Sequence, residues 1–138
     1  MNEKRQQDLK NRILKEMTVD HSDALERNFE FAKRFVRITK GGKIHVLVKD
    51  RIPEKQSILL YLLGKLYAKE AGMVDSEAVK NKEIMDELGM IEGSVSGRLT
   101  ELRDQGRVVR VKTGYHVIPL NQVEKTLREV EANLEQGE

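Results

Sequence analysis

Apolar residues recur at helical spacing over most of this 138-residue chain and alternate with polar residues in a few short regions. Residues 3–18 carry one narrow apolar stripe on a predicted helix, and such a stripe needs a partner to cover it. The stripe consists of Leu9, Ile13, Leu14 and Met17. A second helical stripe follows Ser22, which we place as a helix N-cap, and it ends before Phe35.

At Phe35 the period changes from helical to two. Residues 35–39 and 44–49 are rich in β-branched side chains, and Lys40-Gly-Gly-Lys43 separates them. Two adjacent glycines readily take the positive φ angles of a tight turn. The sequence therefore predicts a β-hairpin over 35–49.

The longest apolar helical pattern begins after Pro53, whose fixed φ suits a helix start, and it ends at Gly72. Its apolar residues cover a wide face, so we expect this helix at the centre of the core. They include Ile58, Leu59, Leu62, Leu63, Leu66 and Tyr67.

Two shorter helices follow a brief extended piece. Asn81 is expected to cap a helix over 82–88, which Gly89 closes. The next helix covers 92–105 and ends at Gly106. Its inward-facing residues are Val95, Leu99 and Leu102.

Two strands, 107–112 and 115–118, come next, and Pro119 ends the second strand. A final helix over 121–136 has apolar residues spaced three and four apart, which is a heptad seam typical of self-association. The seam residues are Leu120, Val123, Leu127, Val130 and Leu134. We interpret this seam as a dimer interface; the alternative is a helix packed back on its own chain.

The order helix, short strand, helix, turn, helix and two-stranded hairpin over 54–118 resembles a winged helix-turn-helix domain. In this pattern Gly89 forms the tight turn between the helices and Met90 fills their corner. The inward-facing positions are Ile84, Leu88, Val95 and Leu99. The flanking helices are similar to those of dimeric MarR-like regulators, a pattern that does not include the hairpin at 35–49.

The expected fold class is therefore mainly α with a small β content (α+β). The expected organisation is N-terminal helices with a basic hairpin over 1–51, a winged helix-turn-helix domain over 52–119 and an amphipathic helix over 120–138.

The resemblance implies a transcriptional regulator that binds double-stranded DNA as a homodimer. Helix 92–105 would enter the major groove, and the wing, 107–118, would touch the backbone or minor groove. The residues expected to contact DNA are Ser94, Ser96, Gly97, Arg98, Thr100, Arg103, Arg107, Arg110, Lys112 and Thr113. Glu101 and Asp104 on the same helix would repel phosphate. The alternative is a winged-helix protein-protein interaction module in a transcription or chromatin assembly.

The composition narrows the class of protein further. At 38% hydrophobic and 35% charged residues, the chain can bury a core built mainly from aliphatic side chains. It has no Cys, which excludes disulfides and thiolate metal sites. The longest apolar run, Ile58 to Leu63, is far shorter than the roughly 20 residues of a membrane-spanning helix. We therefore expect a soluble, cytoplasmic protein with no membrane partner.

The total charge is nearly balanced, with 25 basic and 23 acidic residues, but its distribution is uneven. Basic residues concentrate over 33–51, where Asp50 is the sole acidic residue. Arg37, Lys40 and Lys43 would form a second nucleic-acid or partner surface on the hairpin. The alternative is a solvated face, because exposed strands commonly carry Lys to block edge-to-edge pairing.

No motif in the chain indicates catalysis, so we expect neither an enzyme nor a cofactor. The three histidines are far apart in sequence and lack partners at metal-ligand spacing. No Ser lies in a nucleophile-elbow sequence, and Gly41-Gly42 lies between two strands instead of between a strand and a helix. The sequence leaves a small-molecule effector open.

Overall fold

The computed structural model describes residues 2–17 and 21–137 and is mainly helical. The helices are α1 (Asn2–Arg12, followed by a π-helical turn Ile13–Met17), α2 (Ala24–Arg27), α3 (Phe29–Ala32), α4 (Glu54–Glu70), α5 (Asn81–Leu88), α6 (Glu92–Asp104) and α7 (Val123–Gln136). Short 3-10 helices, Lys49–Arg51 and Leu120–Gln122, precede α4 and α7. The strands are β1 (Val36–Ile38), β2 (Ile44–Val46), β3 (Val79–Lys80), β4 (Val109–Lys112) and β5 (Tyr115–Val117). This architecture confirms the predicted α+β class.

The strands form two small antiparallel sheets. The first is the hairpin β1–β2, paired from Val36 with Val46 to Ile38 with Ile44, as predicted. Gly42 takes a φ of 87° in its turn, where the Thr39 hydroxyl accepts a hydrogen bond from the Lys43 N–H at 3.1 Å. The second sheet has the order β3-β5-β4, which leaves β4 at an edge.

Helix α4 is the centre of the core, as its apolar pattern predicts. Its residues 57–64 are all buried, and α7 and the hairpin β1–β2 pack against it. The hairpin comes close at Gly64, where an added Cβ would overlap the Ile44 side chain and lie 3.0 Å from Val36 Cγ1. Gly64 is therefore a packing requirement in the middle of the helix.

The two helices after α4 end at glycines, as predicted. Gly89 closes α5 with a φ of 65°, and Gly106 follows α6 with a φ of 73°. The predicted cap at Asn81 is wrong, because Lys80 holds the N-cap position and Asn81 begins the helix itself. Asn81 Oδ1 is instead buried without a hydrogen-bond partner among the described residues.

The helix predicted after Ser22 is divided in two. Asp23 is the N-cap of α2, without a side-chain capping bond, so the predicted cap at Ser22 is also wrong. Asn28 separates α2 from α3, and its buried Nδ2 donates to the Ala24 carbonyl at 2.9 Å. The Asn28 N–H also donates to this carbonyl, at 3.1 Å, so the Ala24 carbonyl accepts two hydrogen bonds at the junction of the two helices.

Helix α7 packs back on its own chain. Val123, Leu127 and Val130 are all 0% exposed and belong to the same buried cluster as α4, whereas Leu120 and Leu134 are half-buried. The sequence predicts these residues at a dimer interface. The three buried ones are not available for it, because their side chains already pack within a single chain. A heptad spacing serves equally well to dock a helix on a core.

The core is continuous across the three predicted segments, since one buried cluster includes residues from Ala32 to Val130. The segment boundaries at 51 and 119 stay a prediction. Across residues 2–17 and 21–137, no helix combines the length and the apolar character needed to cross a bilayer.

Candidate nucleic-acid interface

Helix α6 presents a shallow polar face to solvent. Its apolar positions Val95, Leu99 and Leu102 are buried. The opposite side exposes Ser96, Gly97 and Thr100, with Ser94 half-buried at its flank. A Cβ added at Gly93 or Gly97 would meet nothing within 4 Å, so the backbone of this helix is open to close approach.

The acidic residue Glu101 does not belong to that open face. Its carboxylate binds Lys55 of α4 at 3.2 Å and Arg98 of α6 at 3.1 Å. The hydrogen bond from Lys55 lowers the pKa of Glu101 below its usual range, and the charge of Arg98 lowers it further. Arg98 Nε also lies 3.6 Å from Glu54 Oε1. The predicted DNA contact Arg98 is therefore held by two carboxylates, that of Glu101 on α6 and that of Glu54 at the N-terminal end of α4.

Two other predicted arginines, Arg103 and Arg110, lie beside His116. This histidine is only 2% exposed, and its Nε2 lies 2.8 Å from Arg103 Nη1. Burial lowers the pKa of His116 to about 4, with further lowering by the charges of Arg103 and Arg110. His116 is therefore neutral at pH 7, and its Nε2 accepts the hydrogen bond from Arg103. Arg110, opposite His116 in the β4–β5 ladder, is exposed.

A second cationic group lies on the three-stranded sheet around Tyr115. Lys80 of β3 and Lys112 of β4 both pair with Tyr115 of β5. Their ammonium groups lie 5.3 Å and 4.2 Å from the centre of its ring, within the range of cation–π attraction. Lys80 and, less strongly, Lys112 lower the pKa of Tyr115.

Sequence reasoning named Lys112 but missed Lys80 and Tyr115. Lys80 joins the group only through the pairing of β3 with β5, and 34 residues separate the ends of those two strands.

The turn of the β4–β5 hairpin adds Thr113, which is exposed beside Gly114 with its φ of 80°. Ile91, the N-cap of α6, was also missed although it is 74% exposed.

The predicted DNA contact at Arg107 is wrong. Arg107 is 6% exposed, and its Nη1 donates to both carboxylate oxygens of Glu129, at 3.0 and 2.9 Å. Its Nη2 donates to the Thr126 hydroxyl at 2.9 Å. These bonds tie the segment before β4 to α7, so the guanidinium has a structural role and is turned away from solvent.

The basic residues of the first hairpin lie elsewhere. Arg37, Lys40 and Lys43 are exposed. The turn between them approaches the C-terminal side of α4, because a Cβ at Gly42 would lie 3.2 Å from the Met73 carbonyl oxygen. Helix α6 is bound to the opposite, N-terminal end of α4. The structure does not bring these two groups of predicted residues together.

Within the described ranges, no group of three or more His, Asp or Glu side chains is arranged to hold a metal ion. Comparison with known proteins finds no matching family model, no significantly similar curated protein and no significantly similar solved structure.

Proposed function

We propose that the chain is a winged helix-turn-helix protein that binds double-stranded DNA and regulates transcription as a homodimer. The observation that carries the proposal is the open polar face of α6 beside the cations Arg103, Arg110 and Lys112. The order α4-β3-α5-α6-β4-β5 and the sheet order β3-β5-β4 support the winged-helix assignment, with α6 as recognition helix and β4–β5 as wing.

In this proposal α6 enters the major groove with its N-terminal half. Its two open glycines permit close backbone approach, and the positive end of the helix dipole favours phosphate. Ser96 and Thr100 can bond base edges or phosphates, and the exposed Ile91 suits contact with a thymine methyl group. The wing cations Lys80, Arg110 and Lys112 supply sequence-independent attraction to phosphates. In a dimer, the two half-sites would lie about 34 Å apart.

Binding of duplex DNA measured by fluorescence anisotropy at several salt concentrations tests the proposal. The dissociation constant should rise steeply with salt, because bound cations release counterions from the duplex. Arg110→Gln and Lys112→Gln should each reduce the slope of log affinity against log salt by about 1 and weaken binding to all sequences alike. Ser96→Ala should instead change the sequence preference.

Arg128→Gln is the matched control for these substitutions. Arg128 lies on α7, its side chain is 69% exposed, and its carboxylate partner is Glu124 of the same helix. Removal of this charge should leave both affinity and salt slope unchanged. Absence of duplex binding at low salt, or binding that does not respond to salt, would contradict the proposal.

A specific observation favours a second function, that of a protein-protein interaction module. Edge strand β4 exposes Val109 and Val111 at 45% and 53%, and its outer backbone edge is open to another strand. Co-purification of a stable protein partner that duplex DNA fails to displace would favour this function. Val109→Thr and Val111→Thr should then lower the affinity for that protein partner while leaving the affinity for DNA unchanged.

A further inference from the structure

Helix α1 has an apolar side that no other element within residues 2–17 and 21–137 covers. Every residue over 3–17 is exposed, and Leu9, Leu14 and Met17 are 57%, 57% and 76% exposed. A helix of this length is marginal by itself in water, and burial of an apolar face is what normally stabilises it. The sequence pattern thus provides α1 with a docking side that the single chain leaves unused.

A second uncovered apolar surface lies between α2 and the C-terminal half of α4. It is an open groove of about 860 Å³, and we call it the α2/α4 groove. The large apolar side chains that line it are those of Leu25, Phe29, Ile38, Leu66, Tyr67 and Leu120. Tyr67 donates to the Leu25 carbonyl at 2.7 Å, and its ring lies 6.2 Å from that of Phe29, which is itself 48% exposed. The floor of the groove is thus ordered before anything binds.

The charges of the two surfaces are complementary. Residues 3–17 contain five basic and three acidic side chains. The groove is bordered by four carboxylates and one lysine, namely Asp23, Glu26, Glu70, Glu77 and Lys69. Asp23 is already paired with Arg27 at 2.6 Å, which still leaves the border with a negative excess. A basic helix entering an acidic groove is favoured electrostatically in orientation and in partner choice.

We propose that α1 of a second copy of this chain lies in the α2/α4 groove, and that the two copies exchange their α1 helices reciprocally. The single chain leaves both surfaces exposed, and a second copy supplies the missing half of each. The reciprocal contact is isologous, so it closes as a two-fold dimer without further growth.

The area that a stable dimer requires also favours exchange over direct contact between two α1 helices. Stable interfaces bury about 1,200–2,000 Å² in total. Contact between two α1 stripes would use only the few apolar side chains of each helix. Exchange uses the same side chains and adds the six large apolar groove residues of each copy, in two separate contacts.

The inference takes from the proposed function only the homodimer and does not depend on DNA binding. All measurements below are made without DNA. If the chain does not bind DNA, the measured dimer is unaffected. If the chain is a monomer, the DNA titration still tests whether one copy binds DNA.

Sedimentation velocity of the full chain over a concentration series is the first test. The chain should sediment as a dimer, and Leu9→Glu should raise the dimer dissociation constant at least tenfold. Asn11→Glu, which adds the same charge on the opposite side of α1, should change it less than twofold. Phe29→Glu and the charge reversal Glu70→Lys in the groove should weaken the dimer as Leu9→Glu does, with unchanged circular dichroism showing that each variant folds.

Cysteine cross-linking then identifies the contact, because the chain contains no native Cys. One chain carries Met17→Cys, and a second chain with a distinguishing tag carries Glu70→Cys. A bis-maleimide should link the two different chains. A monomeric wild-type chain, a dimer insensitive to both Leu9→Glu and Phe29→Glu, or cross-linking of a Met17→Cys/Glu70→Cys variant within one monomeric chain would overturn the proposal.

Discussion

Arg107 and Arg110 lie three residues apart and illustrate how burial divides two similar side chains between stability and binding. Arg107→Ala removes three hydrogen bonds from Glu129 and Thr126 and leaves a buried hydroxyl and a half-buried carboxylate without their donor. We expect the free energy of unfolding to fall by about 2 kcal/mol in urea denaturation.

Arg110→Ala is the matched control, because Arg110 is exposed on β4. Its effect on stability should stay within about 0.5 kcal/mol, whereas its effect on DNA affinity should exceed that of Arg107→Ala. The reverse pattern, with Arg107→Ala harmless to folding and damaging to DNA binding, would restore the role predicted for Arg107 from the sequence.

His116 gives the protein a defined pH dependence of stability. Its folded pKa of about 4 lies below the ordinary value of 6.5, so the unfolded chain takes up this proton first. The contribution of the neutral imidazole to the free energy of unfolding is complete above about pH 6.5. It decreases as the pH falls and is lost below about pH 4. The slope in between is at most about 1.4 kcal/mol per pH unit.

Urea denaturation at pH 7, 6 and 5 checks this dependence, with His116→Phe as the comparison. The variant lacks the titrating group. The unfolding free energy of the wild type minus that of the variant should therefore decrease as the pH is lowered. A constant difference across this range would show that His116 titrates alike in the folded and unfolded chains.

At the scale of elements, Gly64 sets how closely the hairpin β1–β2 lies on α4. Gly64→Ala places a methyl group against Ile44 and Val36, and the resulting overpacking should destabilise the fold by about 1–3 kcal/mol. Gly97→Ala is the matched control, since it lies inside α6 with open space around it and should stabilise the chain by about 0.5–1 kcal/mol. Thermal denaturation of both variants measures the contrast, and equal effects would show that the hairpin yields easily.

The elements themselves could be predicted largely from the sequence, because helix periodicity, the alternation around 35–49 and glycines such as Gly89 and Gly106 are local signals. Their partners could not be predicted in this way. The heptad spacing of α7 indicates that one side of the helix is buried, but it does not indicate which element packs there. The structure shows that Leu127 is buried by its own chain. For the same reason Arg107 looked like a free cation, since Glu129 lies 22 residues away in the sequence.

At the scale of the whole molecule, the near balance of 25 basic and 23 acidic residues conceals separate cationic regions. The first hairpin turn lies by the C-terminal side of α4, and α6 is bound to the N-terminal end through the Lys55–Glu101 pair. The 17 residues of α4 hold these ends about 25 Å apart. Because charges at this distance are largely screened at physiological salt, the hairpin should not assist DNA binding by α6.

The double variant Lys40→Gln/Lys43→Gln tests this separation. Anisotropy titrations at about 0.15 M salt should show affinity for duplex DNA within twofold of wild type and an unchanged salt slope. Arg110→Gln/Lys112→Gln, which removes the same number of charges from the β4–β5 hairpin, should lower the affinity at least tenfold and the slope by about 2. Equal losses from both double variants would mean that DNA contacts both regions at once, and the hairpin over 35–49 would then belong to the DNA-binding surface instead of being a solvated face.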